Sequence, residues 1–279
     1  MEDPTDRAAW LNRQAWDDIR RRRDEGVDPL RHDAAATLLA GKMCLYQEQR
    51  TLAGDVTGKQ LLDLGCGDGC ELLEWARAGA QVVGVDNSPL QIEAARRAAQ
   101  ALGLSCDLLV ADLLHLPDSL LQGEFDLVYS SFATVWIGNL DAWFRIVSLA
   151  LKPGGIFVLS SGHPLTRFAS AMQQGDATRE SYFVEGPFLF DAGEPFETMQ
   201  WYHTLSRLVT AVAQADAEYY QKETQMAKLG ERRPGQEVMQ LKKTILALQR
   251  QVACLEGLLA RCTCNQVSPC ASLKENPLL

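Results

Sequence analysis

The sequence has no concentrated positive charge. Its 279 residues hold 27 Lys and Arg against 36 Asp and Glu, a net charge of -9, and a nucleic-acid groove would need clustered basic side chains. The one basic run, Arg20 to Arg23, leads straight into Asp24 and Glu25 and reads as a solvated helix face. No uncharged apolar stretch reaches the ~20 residues that span a bilayer. The opening Met1-Glu-Asp-Pro-Thr-Asp-Arg7 lacks the basic-then-apolar pattern of a secretory signal. These absences predict a cytoplasmic protein with neither a nucleic-acid nor a membrane partner. Global disorder is excluded in turn, because 47% of the residues are hydrophobic.

A third glycine is also missing where a dinucleotide site would want it. Gln60 to Gly69 reads Q-L-L-D-L-G-C-G-D-G. The apolar run Leu61–Leu64 is too short for a helix and ends in glycines, so it reads as a buried strand. Gly65, Gly67 and Gly69 let the chain turn tightly against a ligand. Helix formers follow from Glu71 to Ala78, then a second apolar run, Val82 to Val85, ending in Asp86-Asn87. Strand, glycine loop, helix, strand and acid is the layout of a nucleoside-binding βαβ unit, with Asp86 placed to accept from ribose hydroxyls. The dinucleotide fingerprint needs glycine at 70, where this chain has Cys. Asp63, ahead of the glycines, would repel a pyrophosphate and attract an amino group.

Asp63-Leu-Gly-Cys-Gly-Asp-Gly69 resembles the first motif of class I S-adenosylmethionine-dependent methyltransferases. The resemblance implies that Asp63, Gly65, Cys66 and Gly67 pass beneath the amino-acid part of the cofactor, with Asp86 and Asn87 at its ribose. Ala111-Asp112-Leu113 after the third strand (Cys106 to Val110) is similar to the family's adenine site, where Asp112 accepts from the exocyclic amine. The Lys152-Pro-Gly-Gly155 turn before the fifth strand also looks like the family. Asn12-Arg-Gln-Ala-Trp16-Asp, His163-Pro164 and Tyr202-His203-Thr-Leu-Ser206 resemble a bacterial small-molecule group within it.

Other site residues follow from position. The fourth strand, Phe125 to Ser131, leaves the sheet at Ser130, so Ser130, Ser131 and Phe132 should face the cofactor and its methyl group, with Trp136 on the loop beyond. His163, at the end of the fifth strand, is a candidate general base or an orderer of its loop; His203 is a second candidate base. Helices over 10–23 and about 34–52 would form either a packed pair or a lid, with Tyr46 nearest the cofactor. The stretch Phe168 to Trp201, rich in aromatics, is too irregular for repeated helix or strand; it would cover the acceptor pocket with Tyr182, Trp201 and Tyr202 or form a satellite core. A helix from Thr204 to about Ala215 follows.

The carboxyl end departs from the family. Two antiparallel strands normally complete the sheet there, but here the chain stays charged and helical from Asp216. Val238, Leu241, Ile245, Leu248, Val252, Leu255 and Leu259 form a heptad seam, suited to a homo-oligomeric coiled coil or to one amphipathic helix on its own domain. Cys254, Cys262, Cys264 and Cys270 match no four-ligand zinc spacing, and no metal is expected; Cys44, Cys66, Cys70 and Cys106 read as small apolar residues or free thiols.

The expected fold is α/β: a doubly wound, mostly parallel Rossmann-like sheet with an N-terminal helical cap and a helical or coiled-coil tail replacing the last two strands. Its parts are the cap (1–54), the cofactor-binding core (55–165), the aromatic insertion and helix (166–215) and the tail (216–279). The expected activity is methyl transfer from S-adenosyl-L-methionine to a small-molecule acceptor. The alternative is a catalytically inactive cofactor-binding or oligomeric interaction protein on the same fold.

Overall fold

The computed structural model describes residues 4–27, 33–164, 182–190 and 197–228. The heptad seam and the four C-terminal cysteines lie outside the described residues. Five strands, β1 (Gln60–Leu64), β2 (Gln81–Asp86), β3 (Asp107–Val110), β4 (Phe125–Ser131) and β5 (Leu151–Ser160), form one sheet in the order β3-β2-β1-β4-β5. Every pairing in it is parallel. The order reverses between β1 and β4, which makes their carboxyl ends the switch point where such sheets bind ligands.

Both faces of the sheet are covered, and the period of two along each strand assigns its side chains. Leu61, Val82, Leu127, Tyr129 and Val158 face a core shared with Leu72 and Trp75 of α4 (Cys70–Arg77), Ile92 of α5 (Pro89–Leu102) and Ala53 of α3 (Gln47–Ala53). Leu62, Leu64, Val85 and Val128 face the opposite core, built on Trp143, Phe144 and Val147 of α6 (Leu140–Ala150) and Ala211 of α7 (Leu205–Lys228). The α5 ends behave as its sequence requires: Ser88 caps it by accepting from Gln91 N–H, Pro89 opens it and Gly103 closes it in the left-handed conformation.

Four expectations change. The helix expected over 34–52 is two helices, α2 (Ala34–Leu39) and α3, separated by a left-handed Gly41. The buried carboxylate of Glu74 on α4 takes the N–H groups of Cys44 (2.6 Å) and Leu45 (2.9 Å) and pairs with Arg50, and this tertiary anchor overrides local propensity. Cys44 and Cys70, expected as free thiols, are joined as a disulfide in the same place, Cα–Cα 5.9 Å. The Lys152–Gly155 segment lies within β5, across an irregular register opposite β4, rather than before it. Trp201, expected to end a stretch too irregular for strand, belongs with Tyr202 to β7 (Thr198–Tyr202), which pairs antiparallel with β6 (Gly186–Phe190). Among the described residues β5 pairs only with β4, and the β6–β7 hairpin forms a separate sheet.

The N-terminal helix α1 (Pro4–Asp24) packs on α5, β7 and the 3-10 turn Thr134–Trp136. It buries Ala8, Asn12 and Ala15, a stripe at helical spacing, and, further round the helix, Asp17 and Arg20. This places α1 across the carboxyl ends of the strands.

Candidate active site

The glycine loop is shaped by its own backbone. As β1 ends, the N–H groups of Gly65 and Cys66 both reach the Val85 carbonyl (2.8 and 3.0 Å), which folds the loop toward β2. Gly65 has φ +87°, and a Cβ there would press within 3.2 Å of the Ala133 side chain. Gly69, at φ +84°, sits so close to α5 that a Cβ would meet Ala95 Cβ at 3.0 Å, so the last glycine serves helix packing. A Cβ on Gly67 would meet no protein atom within 4 Å, and its open side is cleft space.

Acids frame this loop. Asp63 is 2% exposed on β1. Burial, with Glu71 and Asp86 adding like charge, holds its carboxyl well above the usual range. Asp86 ends β2 and accepts from Gly67 N–H (3.0 Å) through one oxygen and from Ser88 N–H (2.9 Å) through the other. Enclosure outweighs those hydrogen bonds and, with Asp17 and Asp68 nearby, raises Asp86 to about 6.

Gly65, Gly67 and Asp86 open onto a cleft of about 420 Å³ at the switch point, within the size range of small-molecule pockets, whereas Asp63 is buried behind the loop and is not among the lining residues. Gly65, Gly67, Asp86, Asn87, Asp112 and Leu113 form one wall. Phe132, Val135, Trp136 and Ile137 form the other, with Ser131, Ser161 and Gly162 between them and Ala9, Asn12 and Trp16 of α1 across the top. Trp16 meets Trp136 edge-on at 5.5 Å between centroids. Phe132 is the one non-glycine residue with positive φ (+54°) among the described residues, and its ring is 52% exposed. Such strain gathers at functional sites. Among the described residues lining the cleft there is no Lys, Arg or His.

Asp112 uses one oxygen to accept from Leu114 N–H (2.9 Å) and lies 3.2 Å from His115 Nδ1 through the other. Ala111 N–H bonds the Asp86 carbonyl, fixing the turn after β3 to β2. Cys66 sits in the core behind the loop, its thiol pushed up by burial and the surrounding acids. His163 is exposed and directly follows the cleft residues Ser161 and Gly162.

Several expected site residues are placed elsewhere. Tyr46 caps α3, its N–H bonded to Gln49 Oε1 (2.7 Å), and is 59% exposed. The Glu74 anchor and the Cys44–Cys70 bond draw its segment onto α4, away from the cleft. Ser130 is buried and donates to the Leu64 carbonyl (2.7 Å), tying β4 to β1; alternation along the strand gives the cleft to Ser131 instead. Trp201 packs on Gly138, where a Cβ would meet its ring at 2.8 Å. Tyr182 Oη accepts from Leu205 N–H, and Tyr202 Oη donates to Gln200. His203 donates from Nε2 to the Ile137 carbonyl (2.8 Å), and burial lowers its pKa, so the ring is neutral at pH 7. These residues support the acceptor-side wall from behind. Conversely, Asn12 and Trp16 were legible only as part of a family-like helix, since nothing local in the sequence says that α1 returns across the strands.

The methyltransferase domain family matches residues 61–155, the interval from β1 into β5. A crystallised S-adenosylmethionine-dependent methyltransferase from Mesorhizobium loti is 30% identical with a TM-score of 0.50, over 60% of this chain and 78% of that one. A SAM-dependent methyltransferase from Methanosarcina mazei shares the fold, with a TM-score of 0.50 at 23% identity over 62% and 84% of the two chains. The ubiquinone biosynthesis O-methyltransferase of a Chelativorans species is 35% identical over 105 residues, covering 37% of this chain and 40% of that protein. For the sterol 4-C-methyltransferase of Caenorhabditis elegans the identity is 33% over 118 residues, covering 42% and 34%. The chain therefore spans less than half the length of these two curated relatives. Sheet order, glycine loop and flanking acids agree with these matches, and the chain belongs to the S-adenosylmethionine-dependent methyltransferases.

Proposed function

We propose that the chain is a cytoplasmic enzyme that transfers a methyl group from S-adenosyl-L-methionine to a small, apolar acceptor, without nucleic-acid or membrane partners. One observation carries the reading. Asp86 in the cleft wall and Asp63, buried behind it, flank a glycine loop at the switch point with both carboxyls held above their usual range, and the described lining of the cleft contains no basic side chain. A bound cation would relieve that repulsion, and the open side of Gly67 leaves room for it, so the residues fit the family's cofactor.

When bound, the cofactor supplies a methyl group on a cationic sulfonium. Asp63 would take the ammonium end, Asp86 and Asn87 the ribose hydroxyls, and Asp112 with the Leu113 backbone the adenine. Phe132, Val135, Trp136 and Trp16 would hold the acceptor and keep water out. Alignment of this kind lowers a barrier by roughly 7–11 kcal/mol. His163, at the rim beyond Gly162, is the base we assign where the acceptor must lose a proton; His203, neutral and bonded to Ile137, holds the wall. Among the described residues no helix is long and apolar enough to cross a membrane.

Calorimetry with S-adenosylmethionine and S-adenosylhomocysteine, beside a methyl-transfer screen over phenols, amines and thiols, tests the reading. Binding of both cofactor forms with transfer to at least one acceptor is expected. Binding without transfer over a broad panel would favour an inactive cofactor-binding protein, and no binding would remove the reading.

A further inference from the structure

The buried polar groups of α1 divide into two sets. Its carboxyl-terminal half is fastened to the framework that builds the cofactor wall. Asp17 accepts from Ser88 Oγ (2.6 Å) and Leu90 N–H (3.3 Å) at the start of α5. Arg20 reaches Asp68 in the glycine loop (3.4 Å), and Asp24 pairs with Arg97 of α5 (3.0 Å). Its amino-terminal half takes one bond from that wall, Asn87 Nδ2 donating to the Ala9 carbonyl (3.3 Å), and its own buried side chain turns instead to β7. Asn12 Nδ2 donates to the Met199 carbonyl (2.7 Å) and Met199 N–H donates back to Asn12 Oδ1 (2.8 Å), a reciprocal pair across 187 residues. Asn12 is 3% exposed, yet it lines the cleft.

Met199 is a fixed post. Its strand, β7, is held by the Trp201 ring over Gly138 and by His203 Nε2–H on the Ile137 carbonyl. A primary amide matches a backbone N–H and C=O pair, because it gives one proton and takes one. No carboxylate can do both. Resting on the methyltransferase reading, we propose that Asn12 is a positioning residue: its paired hydrogen bonds with Met199 lock α1 shut across the cleft, and cofactor leaves only after they break. The pivot is the Asp17–Arg20 anchorage, and Trp16 against Trp136 is the seam that parts.

The test is the rate at which S-adenosylhomocysteine leaves, followed by stopped-flow tryptophan fluorescence in wild type, Asn12→Ala and Asn12→Asp. Asn12→Ala should release it about tenfold faster than wild type at every pH, since the loss of a buried hydrogen-bond pair is of that order. Asn12→Asp keeps the size of the side chain. At pH 8 its carboxylate has no proton for the Met199 carbonyl, and release should again be about tenfold faster. At pH 5 the enclosed carboxyl, pushed up by burial, is neutral and regains its donor. The ratio to wild type should then fall to within about twofold. The charged groups on the surrounding elements, Asp17 on α1, Asp86 after β2 and Asp112 after β3, are common to both proteins, so wild type at the same pH is the reference. A merely structural defect would not recover on acidification, and the Asn12→Asp comparison stands even if Asn12→Ala does not fold. Equal release rates at pH 8, or a ratio that ignores pH, overturn the latch alone. A wild-type protein that fails to bind S-adenosylhomocysteine overturns the methyltransferase reading and the latch with it.

Discussion

The two walls of the cleft are built on different principles. The wall proposed to hold the cofactor comes from one continuous stretch, β1 through β3, and its geometry is set by backbone hydrogen bonds and by acids at or just past the strand ends. The opposite wall is gathered from α1, the turn after β4 and the β6–β7 hairpin, and apolar contacts and single polar ties between distant segments hold it. The first wall is proposed to bind the cofactor, and the second is the one the proposed latch would open, at the Asn12–Met199 pair.

Two glycines separate these roles. Gly138→Ala would drive a methyl group into the Trp201 ring, now 2.8 Å from that position. It should destabilise the protein by about 1–3 kcal/mol, read as a lower melting temperature. Gly67→Ala adds a methyl group that meets no protein atom. It should cost roughly 1 kcal/mol of stability, from its positive φ, while cofactor affinity falls more steeply. Identical signatures for the two variants would erase the distinction between a wall that packs and a wall that receives a ligand.

The walls should also titrate in opposite senses. Asp63 and Asp86 have raised pKa values in the folded protein, so the ligand-free protein is favoured where they are protonated. That contribution is complete below the ordinary carboxylate range and is lost as pH rises through about 6 for Asp86. Deeply buried Asp63 continues the loss in the same direction. His203 has a lowered pKa, and its contribution is present above its ordinary value and lost as pH falls below it. Melting temperatures of the ligand-free protein across pH 4 to 8 should therefore rise toward acid in His203→Phe more than in wild type. Saturating S-adenosylhomocysteine should flatten the alkaline loss, and an alkaline loss unchanged by ligand would sink the assignment of the acids to the cofactor.

Arg207→Ala should do least. Arg207 reaches both oxygens of Asp141 (2.9 and 2.7 Å), joining α7 to α6 behind the acceptor wall, but the pair is solvent-exposed. A loss within about 1 kcal/mol, shrinking in high salt, is expected. A larger loss would mean that α7 buttresses the wall more than its contacts indicate.

The same contrast decides what could be read from the sequence. The β1 loop and the α5 cap follow from spacing within a few residues, Asp63, Gly65, Gly67 and Asp86 from the strand–glycine loop–strand–acid layout, and Asp112 from a separate family resemblance. The acceptor wall depends on separations that no local pattern records, such as Asn12 with Met199 or Trp16 with Trp136. Tyr46 was misplaced because Glu74, 28 positions later by numbering, pulls its segment behind α4. Ser130 and Ser131 are both expected at the cleft, and only the strand's alternation, which turns Ser130 to the Leu64 carbonyl, separates them. The β6–β7 pairing is not legible because neither Gly186–Phe190 nor Thr198–Tyr202 carries a clean apolar–polar alternation in sequence.

The most direct measurement is a calorimetric titration of S-adenosylhomocysteine into wild type and Asp86→Lys, with circular dichroism to show both are folded. Wild type should bind one equivalent. Asp86→Lys should bind at least about thirtyfold more weakly, the order expected when a charged partner is reversed inside a cleft. Equal affinity in the two proteins would contradict the claim that acids on either side of the glycine loop hold the cofactor.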